Sequence, residues 1–172
     1  MRVLAVDIGW HNMGLVLAET PLKGPDVKVE FFKKVSLADY KDLGESNDIV
    51  NLVPLFVDDH HFIFESADVI LIERQPPSGL TAIQTLLHYI LSREHKKRVI
   101  IISPNSLHVH FGISHLSYEK RKERTEAILA RHVNLDDIPG DRKHDIADAM
   151  CMILYYNFEN GVHFFDRFKF KL

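Results

Sequence analysis

The chain has 172 residues, 46% of them apolar, with a single cysteine, Cys151. That length suffices for one domain with its own core, and a lone cysteine excludes an internal disulfide framework and fits a reducing compartment. A formal charge of −3 excludes a protein that coats nucleic acid through bulk positive charge, though not an enzyme that gathers carboxylates around metal ions.

In chain order, residues 3–6 are continuously apolar and predict a strand buried on both faces, followed by Asp7 and a turn at Gly9. The run is too short for a secretory signal, and no stretch reaches the ~20 apolar residues that span a bilayer, so a soluble cytoplasmic protein is expected. Residues 14–18 predict a second strand, closed by the Lys23-Gly24-Pro25 turn. Val27, Val29 and Phe31 alternate with Lys28 and Glu30, which predicts a half-exposed third strand in an antiparallel meander. Residues 41–66 read as loop and then helix, with Ile49, Leu52, Val53, Phe56 and Val57 at helical spacing around Pro54. Residues 69–72 predict a buried strand ending at Glu73. A helix over 81–95 carries Ile83, Leu86, Leu87, Ile90 and Leu91 on one face. Residues 99–102 predict another buried strand. A charged helix over 118–132, a loop over 135–140 and a last helix, capped by Asp141 and running to about Tyr156, follow. The tail over 162–170 alternates aromatic and charged residues and predicts an added edge strand. The order is that of an α/β fold: a mixed five-stranded sheet, meander first and parallel strands after, flanked by helices, in a single domain over 1–172.

Asp7 and Glu73 end two buried strands. Parallel strands put such ends on one sheet edge, where open α/β folds place their sites. Asp145 and Asp148 are three apart on the last helix and share a face, while Ile146, Met150, Ile153 and Leu154 form the docking face. Each acid has a plain structural role open to it: turn residue for Asp7, ion pair with Arg74 for Glu73, helix-dipole partner for Asp145. Asp148 lies between Ile146-Ala147 and Ala149-Met150, where an acid needs a partner. Four crowded acids repel unless cations neutralise them, and hard oxygen ligands select Mg²⁺, with Mn²⁺ able to substitute. Two such ions would serve an in-line phosphoryl displacement.

At these residues the chain resembles the RuvC-type Holliday junction resolvases, of RNase H-like fold. Val3-Leu-Ala-Val-Asp7-Ile-Gly9 resembles their first strand with its metal-binding aspartate. Ile70-Leu-Ile-Glu73-Arg-Gln75 resembles the second motif, and Lys143-His-Asp145-Ile-Ala-Asp148-Ala149 the paired helical aspartates. The likeness spans about residues 1–156 and is nearest the poxvirus branch. Trp10 after Gly9 departs from the Gly-Thr of bacterial members. The resemblance implies a homodimeric, Mg²⁺-dependent endonuclease that nicks paired strands of four-way and branched DNA, resolving concatemeric genomes in the host cytoplasm. It also implies a basic residue near the scissile phosphate, for which Lys120 fits best and Lys122 is the close alternative.

Lys96, Lys97 and Arg98, then Arg121, then Arg142 and Lys143 are candidate phosphate contacts around the acidic centre. His60, His61, His108 and His110 lack zinc spacing and read as loop or short-helix residues. His144 is read either as tuning the site or as a helix-start residue, and Trp10 as a DNA contact or a core plug. The helix over 81–91 and the tail phenylalanines Phe164, Phe165, Phe168 and Phe170 are candidate dimer surfaces. Two other functions stay open: an RNase H-like nuclease acting on RNA–DNA hybrids or flaps, and a binding module that has lost catalysis. An actin-like ATPase needs a second half and phosphate loops for which the chain is too short.

Overall fold

β1 (Arg2–Asp7), β2 (Met13–Glu19) and β3 (Lys28–Val35) form the expected antiparallel meander. α1 (Ile49–Asp59) and α2 (His61–Ser66) lead to β4 (Val69–Glu73), and α3 (Thr81–Tyr89) leads to β5 (Arg98–Ile102). α4 (Pro104–His110), α5 (Tyr118–Leu129) and α6 (His144–Lys169) complete the chain. The computed structural model describes residues 1–21, 26–41, 43, 48–140 and 143–169, with side chains described as far as residue 160. Among these, five strands form one sheet in the order β3-β2-β1-β4-β5, with β4 parallel to both β1 and β5. No helix of the described residues is long and apolar enough to cross a membrane.

The continuous apolar runs in β1, β2 and β4 follow from burial on both sides. Successive strand residues face opposite ways, so one run feeds two cores. Leu4, Val6, Leu15, Leu17, Ile70 and Ile72 pack with α1, α2 and α3. Val3, Ala5, Val16, Ala18, Val69 and Leu71 pack with Ile146, Met150 and Ile153 of α6. The alternation continues to the strand ends: Asp7 follows Val3 and Ala5, and Glu73 follows Val69 and Leu71, which assigns both acids to the α6 face.

Several expectations are corrected. The helical stretch before β4 breaks at His60, where the buried ring ties three elements together. His60 Nδ1 meets the Phe56 carbonyl at 3.1 Å and the Tyr40 hydroxyl at 3.4 Å, and Nε2 meets Lys33 Nζ at 3.1 Å. The predicted helix over 81–95 ends in a wider π turn at Ile90–Glu94. β5 lies at the sheet edge, so its residues 99–101 are only half-buried. His108 and His110 lie on α4, a helix of seven residues, in line with the short-helix expectation. The tail forms no strand: α6 continues to Lys169. Extending an existing helix needs no new nucleus, whereas an added strand needs a free edge and fresh ladder bonds. The predicted turn at 23–25, the Asp141 cap and the tail phenylalanine side chains lie outside the described residues.

α6 crosses β2 at Gly14, the residue paired with Asp7 across the β1–β2 ladder. A Cβ at Gly14 would collide with the Asp145 backbone carbonyl. The missing side chain therefore sets how closely the start of α6 approaches Asp7. Gly14→Ala is expected to destabilise the fold by about 1–3 kcal/mol through overpacking, read as a lower urea midpoint. An unchanged midpoint would show that α6 is not seated on this glycine.

Candidate functional site

Asp7 and Glu73 stand beyond the paired residues Val6 and Ile72, at one level of two adjacent parallel strands. Their backbones are about 4.8 Å apart by ladder spacing alone. The two carboxyls are hydrogen-bonded to each other. Burial first, then the Glu73 charge, raises the Asp7 pKa well above the ordinary carboxyl range. Burial also raises Glu73, while hydrogen bonds from Asp7 and Gln75 oppose the rise. Crowding and burial thus disfavour the doubly ionised pair.

α6 brings Asp145 and Asp148 over this pair, and both add negative potential at Asp7. Asp148 is pushed up to about 7, chiefly by burial, with Glu73 and Asp145 adding to the rise. Thr125 and Lys122 on α5 act the other way, Thr125 through a hydrogen bond and Lys122 through its charge. Asp145 is itself buried at 5% exposure. Its Oδ1 lies 3.5 Å from His144 Nε2, and His144 Nδ1 lies 3.7 Å from Glu126. Asp7, Glu73 and Asp148 line one cleft, whose other walls include Leu107, His108 and Phe111 from the α4 region, with Thr125, Cys151 and Met152.

The four predicted acids are therefore neighbours, but they do not form a closed ligand cage: among the described residues, no group of three or more His, Cys, Asp or Glu is gathered for metal binding. Carboxylates that repel one another do not converge by themselves. The donor set nonetheless fits a hard divalent cation. It offers oxygen ligands only, and a cation would remove the repulsion that now raises Asp7 and Asp148.

Of the two predicted lysines, Lys122 is the one whose charge is felt at Asp148, and its Nζ sits 4.0 Å above the Tyr118 ring. Lys120 is exposed on α5. Arg121 donates to the Leu116 carbonyl at 3.0 Å and lowers the His108 pKa together with burial. Lys143 directly precedes α6. Arg142 lies outside the described residues. Lys96, Lys97 and Arg98 are not brought to the cleft. Arg98 pairs with Val69 at the start of β4, four residues from Glu73, which is about 13 Å along the strand. Lys97 is bound to Glu65, at 2.6 Å to its carbonyl and 3.2 Å to its carboxylate. Trp10 is partly buried against the core, with Lys41 Nζ 5.7 Å from its ring centroid.

A protein-family model described as the poxvirus A22 protein matches residues 1–160. The chain belongs to the poxvirus A22 protein family. Its fold is similar to that of the fowlpox virus Holliday junction resolvase, with a TM-score of 0.62 at 15% identity, over 92% of this chain and 99% of that one. The same fowlpox enzyme with substrate Holliday junction DNA matches at 0.53 and 15% identity, over 98% and 99% of the two chains. Thermus thermophilus RuvC matches at 0.57 and 15% identity, over 92% and 94%. No curated protein matches the chain in sequence. This A22 family member thus has a RuvC-like, RNase H-like fold, as its sequence motifs imply.

Sequence reasoning missed Thr125, Gln75 and Gly14. Thr125 carried a usable signal, since it lies three residues after Lys122 and so shares its helix face. Gln75 follows Glu73 by two but reads as a loop residue. Gly14 looks like an ordinary strand glycine.

Because the fold favours protonated Asp148, the stability this group supplies is complete below its ordinary value of 3.8 and is lost as pH rises toward 7. In metal-free protein, Asp148→Asn is expected to match the parent near pH 4 and to unfold at a higher temperature than the parent at pH 8. Equal midpoints at pH 8 would contradict the raised Asp148 pKa.

Proposed function

We propose that residues 1–172 form one nuclease domain that resolves four-way and branched DNA, cutting phosphodiester bonds with the help of divalent cations. The observation that carries this reading is the placement of Asp7 and Glu73 on adjacent parallel strand ends, with Asp145 and Asp148 of α6 closing over them on the same face. Asp7, Glu73, Asp145 and Asp148 are the proposed metal ligands. A pair of Mg²⁺ ions, with Mn²⁺ able to replace them, would activate the attacking water and stabilise the leaving 3′ oxygen.

The side chains supply the rest. Asp7 and Glu73, on adjacent strand ends lining the cleft, would offer carboxylate oxygens to a cation there. A hydrogen bond with Thr125 opposes the burial that raises the Asp148 pKa and so favours the ionised form a cation would need. Lys122, beside Asp148, reaches the scissile phosphate and offsets the charge that develops there. Arg121 and Lys143 are the proposed phosphate contacts nearest the acids, with Lys120 further along α5, and Arg142 is proposed from the sequence alone. Lys96 and Arg98 are exposed on the far end of the sheet, and with Lys97 they would meet DNA only at a distance from the cut.

The family resemblance and the fold support the four-way junction as substrate and a homodimer as the working unit, in the host cytoplasm. Two cleavages on opposing strands need two such clefts. An apolar groove of Ile49, Val50, Ala82, Leu86 and Tyr89 between α1 and α3 supports the dimer, with Val50 61% and Tyr89 55% exposed.

Asp7→Asn is expected to abolish Mg²⁺-dependent junction cleavage while leaving junction binding measurable by gel retardation. Matched RNA–DNA hybrid and linear duplex should resist the parent enzyme. Equal cleavage of the hybrid would overturn the junction reading in favour of an RNase H-like activity, and cleavage by the Asp7 variant would overturn the metal assignment. Lys122→Ala should lower the single-turnover rate about 10²–10³-fold, with Lys120→Ala changing it little. The reverse order would move the phosphate contact to Lys120.

A further inference from the structure

Glu73 is held from two sides. One is Asp7. The other is Gln75, whose Nε2 donates to Glu73 Oε2 at 2.7 Å. Gln75 is in turn fixed by the start of α3. Its backbone N–H donates to Gln84 Oε1 at 2.7 Å, and its Oε1 accepts the Leu80 backbone N–H at 3.4 Å. The segment between is folded around this side chain. The Gly79 N–H closes a turn on the Pro76 carbonyl at 2.8 Å, and a Cβ at Gly79 would come within 3.2 Å of Gln75 Oε1 and 2.9 Å of Pro76 Cδ. Gln84 sits on α3 beside Ile83 and three residues before Leu87, both buried in the core, so its acceptor has a fixed base.

A carboxamide suits this place because its ends are not interchangeable. The oxygen end takes the Leu80 N–H and the nitrogen end faces the carboxylate, so the loop decides which end Glu73 meets. A glutamate placed between two other acids otherwise turns away from them. We propose that Gln75, seated by Gln84, is a positioning residue that fixes the Glu73 carboxylate in the orientation a divalent cation shared with Asp7 requires. The proposal rests on the metal-dependent reading of the cleft and goes beyond it by extending the site to a polar relay rooted in α3. Residues one step out from a metal generally orient its ligands in this way, and their loss typically costs 10–100-fold in affinity.

The test is Mn²⁺ binding to the full chain without DNA, followed by electron paramagnetic resonance, with Mg²⁺ titrations of junction cleavage alongside. Gln75→Met keeps the length and removes both hydrogen bonds. It is expected to weaken Mn²⁺ binding by about 10–100-fold. The Mg²⁺ concentration for half-maximal cleavage should rise while the rate at saturating Mg²⁺ largely recovers. Gln84→Met should shift the affinity in the same direction by a smaller factor. Gln84→Glu keeps the acceptor for the Gln75 N–H and should hold affinity closer to the parent than Gln84→Met does.

A merely structural role would lower the unfolding temperature of Gln75→Met and leave its Mn²⁺ affinity within about threefold of the parent, below the range that outer ligands command. That result overturns the proposal. Should Gln75→Met not fold, Gln84→Met decides, and an unchanged affinity there overturns it too. A parent chain that binds no Mn²⁺ overturns the metal reading itself, and the relay with it. That outcome is distinct from a parent that binds normally alongside variants that bind equally well.

Discussion

Two carboxylates that repel each other stand side by side because the parallel pairing of β1 with β4 leaves them nowhere else to be. The ladder sets Val6 against Ile72, and the next residue on each strand is an acid. Apolar side chains behind them, buried on both faces of the sheet, fix that register at a free-energy gain the repulsion cannot match. Moving either strand by one residue would turn its whole apolar set toward the wrong core. The acids therefore accommodate the fold, by titrating upward, and not the fold the acids.

α6 extends the same constraint. It must bury Ile146, Met150 and Ile153 against β1, β2 and β4, and Gly14 lets it do so at close range. Once that face is down, the helical spacing turns Asp148 toward the cleft. The site is in this sense a by-product of core packing. Asp7, Glu73 and Asp148, all raised by burial, cost the fold stability when ionised, the usual exchange between stability and a functional site.

Much of this was legible in the sequence for a definite reason. Strands buried on both faces announce themselves as unbroken apolar runs, and an acid at the end of such a run is conspicuous. The Asp145 and Asp148 pair was legible through helical periodicity. What sequence reading lost was of a different kind. The break at His60 depends on a ring that bonds Lys33 and Tyr40 from elements far apart in the chain. The tail shows a period-two pattern that a continuing helix overrides. Gln75 and Gly14 act through contacts with α3 and α6, and no local pattern encodes a neighbour that folding brings later. Which of Lys120 and Lys122 lies nearer Asp148 depends on which way one helix face points, and two residues on a helix differ by more than half a turn.

The same logic separates the basic residues. Lys96, Lys97 and Arg98 form the densest positive run outside α5, which is why composition singles them out. In a parallel sheet, however, the start and the end of a strand lie on opposite edges. β5 is parallel to β4, so a cluster before β5 belongs with Val69 and not with Glu73. Residues of α5, remote in sequence from both β1 and β4, belong with the acids because α5 packs along α6. Basic residues near the acids therefore come from α5, and charge density along the chain is a poor guide to charge around the cleft.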